Sequence, residues 1–530
     1  MCLASCVKPQ PGPVTFPVTK ERALRASCDS PYQCARDIED QDSCDRALTL
    51  AEKASTSVIA INERGSYSPV FFTFSDKCKF EPIRQPMPGV NCPENEGPIA
   101  EKFTDCFVKY AKDILKKVKS PPRGKTYHLL VFIHGGLNTE QPRLERAFVD
   151  ANRILRDASV AGKAMGRLDD SEVLYPLFVT WPSGGIQSYI DQRVNYNQGD
   201  YDSNFKRWSS PLYFLTDGVE SVVRAPVAWA ESISWFQLGQ DADVKKIGDE
   251  IGCVKSRPAY SCVPLRGRDD RANSDEIWYW SPVGIVGRVV TIPVIDAIGQ
   301  PAWDAMLSRT HMVMRKPFNA HAFAEREGNL DGKGDLWYLF NVISEVINEL
   351  PEDDRPAITI IGHSMGVIVV NQILRNFPDL PYRNIVFMGG AASVRDTLIA
   401  LGRVTAAKPR PNLRFYNLSL HQVAEANEVD VDFFGTLSKG TLLEWVDRMF
   451  TTPATFADRT VGKWINAVMA RGDFLPLESR LQVLFKRFGL SCAEPLKHGE
   501  FDEYEPRPGC AEPRTPYWHP SFWVVPEAGP

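Results

Sequence analysis

The sequence predicts an α/β fold in which a mostly parallel sheet carries helices on both faces. Three observations lead there. Residues 127–133 (YHLLVFI), 173–180, 357–361, 384–388 and 413–420 are short apolar runs rich in β-branched and aromatic residues. Runs of that kind read as strands buried on both sides. Amphipathic helical patterns over 139–161, 335–350 and 367–374 separate them, and strand and helix in alternation imply parallel neighbours joined by crossovers. Finally, the run at 357–361 enters Gly362-His363-Ser364-Met365-Gly366 and leaves as a helix that ends near Asn376-Phe377-Pro378.

In chain order, 127–133 is a central strand that runs directly into His134-Gly135-Gly136-Leu137-Asn138, and 139–161 is the first covering helix. The next strand, 173–180, ends at Trp181-Pro182-Ser183-Gly184. A helix over 335–350 opens with Asp335 as its N-cap. The segment Asp331-Gly332-Lys333-Gly334-Asp335 before it lacks the ligand series and terminal Glu of a calcium loop, and it reads as a turn.

The pentapeptide at 362–366 gains its weight from context. Gly-x-Ser-x-Gly arises by composition in roughly one chain in ten of this length, but here a buried strand precedes it and a helix follows. That setting makes a nucleophile elbow, in which a tight turn presents Ser364 at the top of the sheet and only small residues fit on either side. Acyl transfer also needs two N–H donors for the developing oxyanion. The amides of Met365 and Gly136 stand at the expected places.

With Phe132-Ile133-His134-Gly135, Trp181-Pro182-Ser183-Gly184 and Gly362-His363-Ser364-Met365-Gly366, the chain resembles the lipase-like bacterial serine hydrolases of the α/β-hydrolase superfamily, over residues 121–190 and 335–525. The resemblance implies a triad in the order Ser, acid, His. Of the eight histidines, His421, His498 and His519 follow the elbow, and His421 stands where the acid belongs. Lys497-His498-Gly499-Glu500-Phe501-Asp502 is similar to the late histidine loop of these relatives, which makes His498 the base and His519 the second choice. After the strand at 413–420, glutamine stands near where many relatives have aspartate, so Glu425 is the first choice of acid and Asp396 the second. No cofactor is needed. A thioesterase or amidase on the same residues is the near alternative, and a surface-anchored binding or scaffold protein that kept the fold and lost the chemistry is the distant one.

The organisation is then an N-terminal tether and Cys-rich extension (1–120), the first part of the core (121–190), an insertion (191–334) and the second part of the core with its tail (335–530). The insertion holds six of the twelve tryptophans, at 208, 229, 235, 278, 280 and 303. An aromatic lid over the nucleophile would favour an apolar acyl chain or a lipid interface; a helical subdomain with its own core is the other reading. Residues 278–307 are apolar but broken by Pro282, Arg288, Pro293, Asp296 and Pro301, so they do not read as a membrane span.

A formal charge of -5 gives no reason to expect nucleic acid. The cysteines lack zinc-site spacing. Ten of them, from Cys28 to Cys510, form an even set in polar, Pro-rich surroundings, as in an oxidising compartment; Cys253 with Cys262 and Cys492 with Cys510 are the expected pairs. Leu3-Ala4-Ser5-Cys6 resembles a lipobox, with Cys6 the lipid attachment site, although almost no hydrophobic region precedes it. The expected location is therefore exported, periplasmic or cell-surface, with membrane association through the lipid anchor or the lid. A cytoplasmic protein is the alternative. The expected partner is a small-molecule or lipid ester.

Overall fold

Strands that are apolar along most of their length need cover on both sides, and the sheet is built of seven parallel strands. The computed structural model describes residues 57–61, 71–74, 80–83, 126–135, 140–158, 172–181, 226, 229–230, 299–314, 335–407, 412–428 and 440–524, apart from 452, 490, 508 and 511. The main elements are β1 (Val58–Ala60), β2 (Thr126–Ile133), α1 (Glu140–Ala158), β3 (Glu172–Thr180), α2 (Asp335–Glu349), β4 (Ile358–His363), α3 (Gly366–Asn376), β5 (Tyr382–Met388), α4 (Val394–Ala407), β6 (Arg414–Leu420) and the short α5 (Gln422–Asn427). After these come α6 (Leu442–Trp445) with a π-helical turn at Val446–Phe450, α7 (Trp464–Met469), α8 (Arg471–Phe474), β7 (Gln482–Phe488) and α9 (Pro520–Trp523). A separate antiparallel ribbon pairs Phe71–Phe74 with Phe80–Ile83.

The sheet order is β1-β3-β2-β4-β5-β6-β7, and every pairing is parallel. This establishes the α/β class. Side chains alternate across the pleat. Leu129, Val131 and Ile133 of β2 join a core with Leu339 and Phe340 of α2 and Val370 and Ile373 of α3. Leu130 and Phe132 join the opposite core, with Phe148 and Ile154 of α1 and with Tyr517, Trp518 and Phe522 near the end of the chain. The aromatic tail thus covers one face of the sheet.

Polar positions inside the sheet bond to one another, as burial requires. His128 Nε2 lies 2.7 Å from Thr359 Oγ1, which also accepts from Asn384 Nδ2 at 3.0 Å, so one chain of contacts crosses β2, β4 and β5.

The end of the insertion belongs to the core. Residues 299–313 are helical, and Trp303, Met306 and Val313 pack in the same cluster as α2 and α3. A bond of 3.1 Å between His311 Nδ1 and Gln372 Nε2 ties this helix to α3. Most of the lid expectation, the Cys253–Cys262 pair, the tether and Cys6 lie outside the described residues. Among the described residues no helix is long and apolar enough to cross a membrane. Cys492 and Cys510 are joined by a disulfide.

Candidate active site

In an open parallel sheet, a crevice forms at the carboxyl ends of neighbouring strands whose connections leave in opposite directions. Here β2 lies between β3 and β4, so the crevice opens where the chain leaves β2 at His134-Gly135 and β4 at Ser364. His134 holds this corner. Its Nδ1 lies 2.5 Å from the Gly135 carbonyl, which can only accept, so the proton is on Nδ1 and Nε2 accepts the Trp181 amide N–H at 3.1 Å. Trp181 Nε1 donates in turn to the His134 carbonyl at 3.3 Å. The histidine and tryptophan of two sequence motifs are therefore one hydrogen-bonded unit.

Ser364 has φ 52, the only positive φ of a residue other than glycine among those described. Left-handed backbone costs an L-residue roughly 1–2 kcal/mol. Three contacts hold it: Ser364 N–H donates to the Met388 carbonyl at 2.9 Å, and the Ser364 carbonyl accepts from Ala391 at 3.0 Å and Val367 at 3.2 Å. The turn also needs close packing. A Cβ on Gly366 would stand 2.2 Å from the Ile133 carbonyl oxygen, and one on Gly135 would stand 2.5 Å from the Ser364 Cβ. Met365 immediately precedes α3, where first-turn N–H groups have no intrahelical partner and the helix dipole favours negative charge. Gly136, the expected second donor, lies outside the described residues.

Ser364 and His498 line one cavity of about 590 Å³. Phe132, Ala147, Phe178 and Leu442 form apolar parts of its wall, and Arg146, Lys497, Glu500 and Asp502 are among its charged parts. Ser364 Oγ and His498 Nε2 are both buried, and neither has a hydrogen-bond partner among the described residues. Burial, with His363 beside it, drives the His498 pKa down to about 3, so the imidazole is neutral near pH 7.

The carboxylate that reaches His498 is Glu428. Its Oε2 accepts the His498 main-chain N–H at 2.7 Å, and it lines the cavity. The other expected acids lie elsewhere. Glu425 Oε1 accepts from Trp464 N–H at 3.3 Å. Burial raises its pKa well above the usual carboxylate range, with Lys463, Glu444 and Asp447 as its charged neighbours. Asp396 pairs with Arg375 and accepts from Asn371 Nδ2 at 2.9 Å. His519 caps α9, where its Nδ1 lies 2.6 Å from Ser521 Oγ. The structure thus brings Ser364 and His498 to one cavity and leaves Glu425, Asp396 and His519 out of its lining.

A second buried carboxylate went unnoticed in the sequence. Asp150 of α1 lines the cavity and accepts from Tyr504 Oη at 2.8 Å and Tyr517 Oη at 2.6 Å, with Arg146 one helical turn away. Burial raises its pKa to about 6. It ties the C-terminal segment to α1. Its signal was an Asp facing the apolar stripe of that helix.

Among the described residues no group of three or more His, Cys, Asp or Glu side chains is placed to hold a metal ion. Compared with known proteins, the chain matches no family model, no curated protein and no solved structure.

Proposed function

We propose that the protein is a serine hydrolase that cleaves carboxylic esters through an acyl-enzyme on Ser364. The observation that carries this is a serine in left-handed backbone between a strand and a helix, with its unpartnered Oγ in the same cavity as the unpartnered Nε2 of a neutral histidine. Ser364 Oγ attacks the carbonyl carbon while His498 Nε2 takes its proton, and the tetrahedral oxyanion draws on Met365 N–H and a second amide at Gly136. His498 returns the proton to the departing alkoxide. Water then repeats the sequence on the acyl-enzyme. Glu428, in place of Glu425, is the carboxylate that holds the base. The strand order, the elbow after β4 and the histidine after β7 support reading the sheet as an α/β-hydrolase sheet.

One observation favours a different reading. Among the described residues no carboxylate bonds to the His498 ring, as a non-catalytic binding protein with this fold would allow. A fluorophosphonate probe separates the two. A serine hydrolase labels in the wild type and in His519→Ala, and not in Ser364→Ala; a binding protein labels in none. A chain-length series of p-nitrophenyl esters, with thioester and amide analogues, then identifies the acyl group and the leaving group. The Cys492–Cys510 bridge supports an exported protein, and intact-mass analysis of native material tests lipid on Cys6.

A further inference from the structure

His498 reaches the cavity from an irregular segment. It begins a three-residue 3-10 turn, His498–Glu500, well past the end of β7. No strand or long helix fixes its main chain, yet a general base misplaced by about 1 Å loses on the order of 100-fold in rate. Both polar groups of its main chain are held by side chains from the core. Glu428 Oε2 accepts the N–H at 2.7 Å, and the carbonyl oxygen lies 3.1 Å from His363 Nε2. A carbonyl can only accept, so His363 carries its proton on Nε2.

His363 is well suited to this. It is the last residue of β4, buried, and immediately precedes the nucleophile. Its ring touches the His498 segment at three more points. The His498 and Phe501 rings lie 5.3 Å and 6.2 Å from it by centroid, and Asp502 Oδ2 lies 3.9 Å from its Nδ1. One imidazole beside Ser364 thus contacts the segment that carries His498.

We infer that His363 is a positioning residue: its Nε2–H on the His498 carbonyl, together with Glu428 on the His498 N–H, fixes the base relative to Ser364 by the main chain. This rests on reading Ser364 and His498 as nucleophile and base. His363 takes no proton from the substrate. Its work is to keep the Ser364–His498 geometry constant while the cavity fills and empties.

The test compares His363→Leu, which fills the space without a donor, with His363→Gln, whose side-chain amide N–H reaches about as far as Nε2. Fluorophosphonate labelling rates, kcat and KM for a p-nitrophenyl ester, and hydrogen exchange of the 491–504 segment are measured on both. In His363→Leu the labelling rate and kcat fall about 10- to 100-fold, KM stays within about twofold and the segment exchanges faster. His363→Gln recovers most of each loss. A folded His363→Leu with wild-type rates and wild-type exchange overturns the inference, and so does a His363→Gln as impaired as His363→Leu. Hydrogen exchange separates the two levels of the argument. A wild type that never labels, with exchange that still quickens in His363→Leu, removes the hydrolase reading and keeps the hold on His498; unchanged exchange removes the hold itself.

Discussion

Replacing Gly389 by alanine tests the position of the base from the other side. Gly389 follows β5 with φ 50, and a Cβ there would stand 2.8 Å from His498 Cε1 and 2.9 Å from its Nδ1. The left-handed backbone alone costs an alanine about 1–2 kcal/mol. The contact adds to this, because ordinary van der Waals separation begins at 3.4 Å, so the imidazole must recede by roughly half an ångström or more. Its retreat is hindered where Glu428 and His363 hold the main chain. With about 100-fold lost per ångström of misplacement, the labelling rate should fall about 10- to 100-fold, with a stability loss of about 1–3 kcal/mol. Fluorophosphonate labelling kinetics give the first quantity and urea midpoints the second. A Gly389→Ala variant destabilised as expected but labelled within about twofold of wild type would refute the argument, since His498 would not then act from where the structure places it.

Gly402 is the contrasting case. It lies inside α4, a Cβ there meets nothing within 4 Å, and Gly402→Ala should stabilise the protein by about 0.5–1 kcal/mol in urea with labelling unchanged. Reducing Cys492–Cys510, which spans 18 residues around His498, should cost about 3 kcal/mol of stability in the loop-entropy account; an unchanged urea midpoint in dithiothreitol would contradict it. Two buried groups give opposite slopes against pH. The His498 pKa is near 3 when folded and about 6.5 when unfolded, so its contribution falls as pH drops from about 6.5 towards 3. The Asp150 pKa is near 6 when folded against 3.8, so its contribution is full below about 4 and is lost as pH rises through 6, on the order of 3 kcal/mol in all. Asp150→Asn should therefore gain stability more steeply than wild type between pH 4 and 6, and His498→Gln less steeply, as urea midpoints at each pH will show.

What the sequence made legible was what burial on both faces makes legible. The runs at 127–133, 173–180 and 413–420 became strands within a residue or two, because short apolar runs rich in β-branched and aromatic residues suit the interior of a sheet. β7 escaped notice. It reads QVLFKRF and closes one edge of the sheet, where Lys486 lies along Phe488 and donates to the Phe522 carbonyl at 2.5 Å and Arg487 packs over Trp464. Long basic side chains that bury their stems hide a strand from any apolar count. β1 has three residues, too few for a pattern. The carboxylate that reaches His498 is not the one expected from the sequence, for a related reason. Glu425 and Glu428 both follow β6, and α5 lies between that strand and Glu428, so its direction decides which carboxylate faces the cavity. Glu425 turns inward, where its Oε1 accepts Trp464 N–H and the fully buried Lys463, paired with Glu444 at 2.9 Å and Asp447 at 3.5 Å, is a charged neighbour. That cation comes from about forty residues further along the chain.

The energetics of the site bear on what it is for. Ser364 accepts a backbone cost of roughly 1–2 kcal/mol, and its buried Oγ and the buried Nε2 of His498 go without partners among the described residues. Both line a cavity of about 590 Å³, roomy enough for solvent, so the cost built into the fold is that of the Ser364 backbone. A scaffold that only bound would be relieved of it by glycine at 364. A hydrolase has no such freedom, since the two groups left without partners are the ones the reaction joins. The backbone cost falls at the residue that the proposed reaction would use, which supports looking for an ester before a partner.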